Sequence, residues 1–504
     1  MPGDRPRHHP FNWAKMKTHL LGFLILSGTA LWAQAGEPPS LGAIREADLK
    51  RDVYALADAH FRGRSAGTLD ELKAAAWVAD QFHAIGLQPL GDDGTYFQFF
   101  TLWRNELSER STLAIDDTPL AMWQDVALGQ LAHVTLNAPI VYLGSAAEVD
   151  LSTVDVGGRV VAMEANPKEF NPAMSLPTWR YARNHQLKYG LPLLRRGAAA
   201  IIFINDETGE RCWDDAVENF KRGAYALEGD ANASVTATAP VIWLRASAKK
   251  LLQEGKATLK ASLLVNKYPY PSVNIIGKIA GTDPKLAAEY VLYSGHTDAH
   301  GIRNPVKGDD VYHGADDNGS ADAALFACAR AFVQQPGKRS ILFVIHGAEE
   351  RGLFGSRYFA AHPTVPLQDI VAVLNGEMIG RNDPGAATLL GAIPPHKNSD
   401  ALVAMALAAN QEGPRFTVDT TWDSPTHIEG WYFRSDHLPY ARLNVPAIMY
   451  TTVLHPDYHT PQDNAENIDY AKLKNMTEWM YRTGWKVAEA PERPALNPDF
   501  KLER

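Results

Sequence analysis

The sequence predicts an α/β three-layer sandwich built on a mixed, largely parallel sheet, with a smaller β-rich insertion. Three observations predict it. Strand-like apolar runs alternate with helical runs through the second half of the chain, residues 107–262 change to short β-like runs between polar loops, and acidic and histidine residues recur just past the ends of the later strands. A sheet covered by helices on both faces produces the first pattern, and ligands of such sheets gather outside the carboxyl ends of the strands.

In chain order, Lys15 and Lys17 precede an apolar run over 20–31 and the small residues Ala33 and Ala35, the layout of a cleavable export leader over 1–35. A bilayer span needs about 20 apolar residues, so the expectation is a periplasmic or secreted protein without stable membrane insertion. Residues 36–110 read as helical: Leu49, Val53, Leu56 and Ala57, then Leu72, Ala75, Val78, Ala79 and Phe82, fall at three- and four-residue spacings. The loop FRGRSAGT between them lacks the spacing of a phosphate loop and reads as a structural turn. A strand follows over 96–103.

Residues 111–265 form the expected insertion, with β-like runs at 138–143, 160–163, 199–204 and 239–244 and a helix over 186–196. Residues 266–490 hold strands at 273–279, 290–295, 340–345, 370–374 and 446–451, alternating with helices at 320–334, 352–362, 399–410 and 468–487, before a tail over 491–504. Only Cys212 and Cys328 are present, too few for a disulfide framework. A net charge of -9 over 504 residues, with no basic run interleaved with aromatics, argues against a nucleic-acid surface and for a peptide or small substrate. Oligomeric state is not legible.

Chemistry concentrates after the strands of the second half. His296 closes the first such strand, with Asp298 two residues on and able to accept the proton of the second ring nitrogen. GADDNGSA supplies Asp316 and Asp317 before a helix; GAEERGLFGS sets Glu349 beside Glu350; GEMIGR supplies Glu377; HPDYHTPQDN supplies His455, Asp457, Tyr458, His459 and Asp463. Alone, a His-x-Asp is commonly a hydrogen-bonded loop pair, and Asp-Asp-Asn-Gly-Ser a turn or helix cap. Together and in this order, two histidines and three carboxylates, one of them bridging, make a donor set for two divalent cations.

These segments, with SGHTDAHG and RSDHLPY, resemble the co-catalytic zinc exopeptidases, the family that includes secreted leucyl aminopeptidases, glutamate carboxypeptidase and transferrin receptor ectodomains. The resemblance covers about 272–487, and VGGRVVAME and GAAAIIFIN in the insertion resemble a protease-associated domain. It implies two zinc ions, one held by His296, Asp317 and Glu377, the other by Asp317, Glu350 and His459. It further implies Glu349 as general base, Asp298 as the residue that orients His296, and Tyr458 as a donor to the oxyanion. His300, His313, His346 and His455 lie at positions the resemblance does not use and read as loop or supporting residues. Glu377 stands where the family often has Asp, one methylene shorter, and Ala321 where it usually has Gly, a change expected to be tolerated inside a helix while tightening the turn. The implied activity is an exported aminopeptidase acting on peptides. A carboxypeptidase, with Arg381 or Arg434 meeting the substrate carboxylate, a glutaminyl cyclase with one zinc, and a binding ectodomain without chemistry are the alternatives.

Overall fold

The computed structural model of the protein describes residues 37–229, 238–252 and 256–504; the expected leader lies outside them. The centre is a ten-stranded sheet. Its main path runs Thr417–Val418, Ala386–Leu390, Ala447–Thr451, Ile370–Glu377, Tyr290–His296, Ser340–His346, Val265–Ile279, Phe97–Leu107 and Ala224–Leu227, with Gln88–Pro89 paired to Val265–Ile279 off that path. Four neighbouring strands, from Ala447–Thr451 to Ser340–His346, run parallel, so their carboxyl ends share one edge. The strands flanking these four are antiparallel to them, which makes the sheet mixed with a parallel centre.

Side chains alternate across the pleat. Val291, Tyr293, Ile341, Phe343, Ile345 and Leu374 pack with Phe326 and Phe332 of the helix Ala321–Gln334 and with Trp479 and Met480 of the helix Tyr470–Glu489. Leu292, Leu342, Val344 and Val373 pack on the opposite face with Phe359 and Tyr440, from the helices Phe354–Ala361 and His437–Arg442. Full burial of each such side chain is worth roughly 1.5–3 kcal/mol. Both faces are therefore sealed, which leaves the shared carboxyl edge of the parallel strands as the place for a site.

Strands between residues 112 and 263 form a second, eight-stranded sheet, with separate apolar clusters on its two faces. The strand Ala224–Leu227, inside the span expected to be an insertion, instead pairs with Phe97–Leu107 at the edge of the main sheet. The helix expected over 186–196 begins earlier: Pro177–His185 leads through a wide turn, Gln186–Gly190, into Leu191–Arg195. Proline can open a helix because its missing N–H has no partner there anyway. Cys212 and Cys328 are both free and buried. Among the described residues no helix is long and apolar enough to cross a membrane.

Candidate metal centre

Two of the candidate donors sit on the ends of parallel strands. His296 closes Tyr290–His296 and Glu377 closes Ile370–Glu377, each directly after a glycine. A Cβ on Gly295 would stand 3.3 Å from Asp322 Oδ1, and one on Gly376 3.1 Å from the Ala321 methyl. The missing side chains let the helix Ala321–Gln334 close against both donor-bearing ends. Ala321 itself has ordinary right-handed helical angles, φ -69 and ψ -43, so its methyl is tolerated at the start of the helix without backbone strain.

Asp317 lies between the two halves of the site. Its Oδ1 is 3.4 Å from His296 Nε2, and its Oδ2 is 3.1 Å from His459 Nε2. Glu377 Oε2 is 3.5 Å from the same nitrogen of His296, and Glu350 Oε1 is 3.3 Å from His459 Nε2. Donors about 2.0–2.2 Å from a tetrahedral zinc stand about 3.3–3.6 Å apart, so both groups have the spacing of metal ligands. His296 Nε2 and Glu350 Oε1 are buried and make no hydrogen bond, as donors waiting for a cation would.

The charge balance agrees. Asp298, Asp316, Asp317, Glu377, Asp436 and Asp463 are all buried here, and buried carboxylates need cations or protons. Burial alone would lift Asp317, but His296 and His459 hold it well below the usual carboxylate range. Conversely Glu377 and Glu349 pull His296 well above its ordinary value despite complete burial. Bound cations would supply the positive charge that these protons otherwise provide.

Glu349 and Glu350 owe their separation to a turn, not to the pleat of a strand. After the left-handed residue Ala348 they begin the short turn Glu349–Arg351, from which Glu350 faces His459 while Glu349 Oε2 lies 3.8 Å from His296 Nε2. Burial, reinforced by Glu377, Glu350 and Asp436 against the pull of His296, lifts Glu349 well above the usual carboxylate range. Asp298 differs from expectation. Its carboxylate stands 3.6 Å from His296 Nδ1, and its backbone carbonyl, at 3.1 Å, is the atom in reach of that ring. The carboxylate accepts instead from the N–H groups of Glu349 and Glu350.

Tyr458 stacks on His459 with ring centroids 3.7 Å apart, and its hydroxyl accepts a 2.8 Å hydrogen bond from Arg434 Nη2. Burial keeps this phenol neutral, well above its ordinary range. Arg434 also binds Glu429, and Arg381 binds Asp457, so both arginines are paired with the chain's own acids.

Three supports were not legible as such. The buried guanidinium of Arg64, from the loop read as a mere turn, donates to the carbonyls of Thr297, His313 and Gly314, pinning the segments around His296 and before Asp317. Asp463 accepts from the N–H groups of Asp316 and Asp317, both at 3.0 Å. Ser435 donates to Glu377 Oε2 at 2.7 Å. Of the histidines set aside, His346 faces Asn274 and Tyr440, His313 faces Asp309, and His455 faces Asp316. His300 is different: its Nε2 is 3.3 Å from Glu350 Oε2.

The chain is also similar to known proteins. The model of peptidase family M28 matches residues 274–483, the segment that carries every donor above. Aminopeptidase YwaD of Bacillus subtilis is 25% identical over 263 residues, covering 51% of this chain and 53% of the relative. A probable leucine aminopeptidase 1 of Trichophyton verrucosum is 25% identical over 251 residues, covering 47% and 63% respectively. The chain thus spans little more than half the length of the curated relatives it matches. In fold it is similar to an aminopeptidase from Aneurinibacillus sp. strain AM-1, with a TM-score of 0.57 at 18% identity over 92% of this chain and 98% of the other. It is also similar to a zinc aminopeptidase from Bacillus subtilis, with a TM-score of 0.55 at 18% identity over 91% and 99%.

Proposed function

We propose, from the premise that residues 274–483 belong to peptidase family M28, that this protein is a two-zinc metallo-exopeptidase that removes N-terminal residues from peptides. The observation that carries the reading is Asp317, whose two oxygens face two separate histidine and carboxylate pairs. That arrangement favours two cations and so disfavours a one-zinc cyclase. The aminopeptidase names of relatives favour the amino end. So does the pairing of Arg381 and Arg434 with internal acids, since a carboxypeptidase needs a cation free for the substrate carboxylate. The export-leader pattern over 15–35 supports action outside the cytoplasm.

In this reading His296, Asp317 and Glu377 hold one zinc, and Asp317, Glu350 and His459 the other. When bound, the zinc ions supply Lewis-acid polarisation of the peptide carbonyl and lower the pKa of a water nucleophile toward neutrality. Glu349 takes the proton of the attacking water and returns it to the leaving amine, a role suited to a carboxylate whose affinity for protons is raised by burial. The Tyr458 hydroxyl donates to the oxygen on which negative charge develops, its direction fixed by Arg434. Asp298 holds the turn that presents Glu349 and Glu350, while its carbonyl orients His296.

The test is metal content together with hydrolysis of aminoacyl anilides and N-blocked peptides by the wild type and Glu349→Gln. Two zinc per chain, with turnover of free-amine substrates lost in the variant while zinc is retained, is the expected result. One zinc with cyclisation of N-terminal glutamine, or release of C-terminal residues from N-blocked peptides, would replace it; no metal and no turnover would indicate a binding protein.

A further inference from the structure

We propose that His300 is a metal-ligating side chain, a second imidazole donor at the cation position of Glu350 and His459. The inference rests on the two-cation reading above and adds a residue to it.

Glu350 stands between two imidazoles. Its Oε1 is 3.3 Å from His459 Nε2, and its Oε2 is 3.3 Å from His300 Nε2. The rings of His300 and His459 meet edge to face, with centroids 3.9 Å apart, and one donor atom from each of His300, Glu350 and His459 falls within a common span of 4.8 Å. Both ring nitrogens of His300 are buried without a hydrogen-bond partner. A buried imidazole that makes no hydrogen bond is costly, and a cation would satisfy it. A cavity of about 10 Å³, lined by His300, Asp317, His459, Asp463 and Tyr312, adjoins these groups.

The placement of His300 is fixed by its loop. The N–H of Ala299 donates to the carbonyl of Arg64, and that of Gly301 to the carbonyl of Gly63. Gly301 takes φ +75, a left-handed turn open to glycine that carries the chain away just after the imidazole. The two cation positions then differ. One has a single nitrogen, from His296, with Asp317 and Glu377; the other has two nitrogens, from His300 and His459, with Asp317 and Glu350. The nitrogen-rich position suits borderline ions such as zinc or cobalt and should fill first.

The experiment is cobalt titration of the chelator-stripped full chain, reading visible absorption and competition against a chromophoric chelator. Wild type is compared with His300→Ala, His300→Gln and the control His313→Gln. Both His300 variants are expected to lose at least about tenfold in affinity for one of two cobalt equivalents and to change that equivalent's visible band, while His313→Gln matches wild type. Should the alanine variant unfold, as read by circular dichroism, the volume-matched glutamine variant decides. Two equivalents bound with wild-type affinity and spectrum in the His300 variants would overturn the assignment alone. A wild type that takes up no second equivalent would overturn the two-cation reading with it.

Discussion

Asp298 accepts the backbone N–H groups of Glu349 at 2.9 Å and of Glu350 at 3.3 Å, one on each carboxylate oxygen. A single side chain thus sets the positions of the proposed base and of a proposed ligand. Asp298→Asn leaves the backbone carbonyl that orients His296 but offers the turn one acceptor where two are needed. The expected result is a kcat about 10–100-fold lower and weaker binding of the cation at Glu350, with the cation at His296 less affected; titration calorimetry beside steady-state kinetics separates the two.

Tyr458 and Arg434 should behave as a unit. Tyr458→Phe removes the proposed oxyanion donor and is expected to lower kcat by about 10²–10³-fold with KM little changed. Arg434→Met leaves the phenol unaimed and should cost less, about tenfold. The double variant should fall little further than Tyr458→Phe alone, because Arg434 acts through that hydroxyl. Zinc content should stay at the wild-type level in all three.

Acid should unfold the protein in part through two histidines outside the donor set. Burial depresses His346 and His437 from 6.5 to about 3 each. Below pH 6.5 the unfolded chain binds these protons and the folded chain does not, so stability falls with falling pH by up to about 1.4 kcal/mol per unit for each histidine until about pH 3. Denaturant midpoints measured between pH 7 and pH 4 should fall, and His346→Gln, which cannot take the proton, should flatten the slope.

Stripping the cations should destabilise the fold and not merely silence it. The donors leave several carboxylates buried together, and a cation at a hundred times its Kd adds about 2.7 kcal/mol to stability. Melting temperature should therefore climb with free zinc and drop on chelation, with the gain reduced in His459→Ala.

Residues whose role depends on local chain geometry were the ones readable beforehand. His296 and Glu377 end apolar β runs, and a strand end in a parallel sheet is a position that sequence alone identifies. The separation of Glu349 from Glu350 arises from a turn after Ala348, whose left-handed angles no local pattern announces. Arg64 and His300 were passed over for a different reason. The carbonyls that bind Arg64 lie more than 230 positions away along the chain for three of its four bonds, and the imidazole of His300 acquires its neighbours Glu350 and His459 only when three distant loops meet. Ala224–Leu227 joined the main sheet for the same reason: an edge strand is recruited by the partner that remains open, which composition does not encode.

Glu429 is nearly fully buried and accepts from Ser175 N and Oγ at 2.6 Å each, from Arg180 at 2.7 Å and from Arg434 at 2.8 Å. The segment carrying Ser175 and Arg180 is consequently bolted to the same arginine that steadies Tyr458. It is a fixed strut and not a hinged door: swinging it outward would strand a buried carboxylate and slacken the proposed oxyanion donor together.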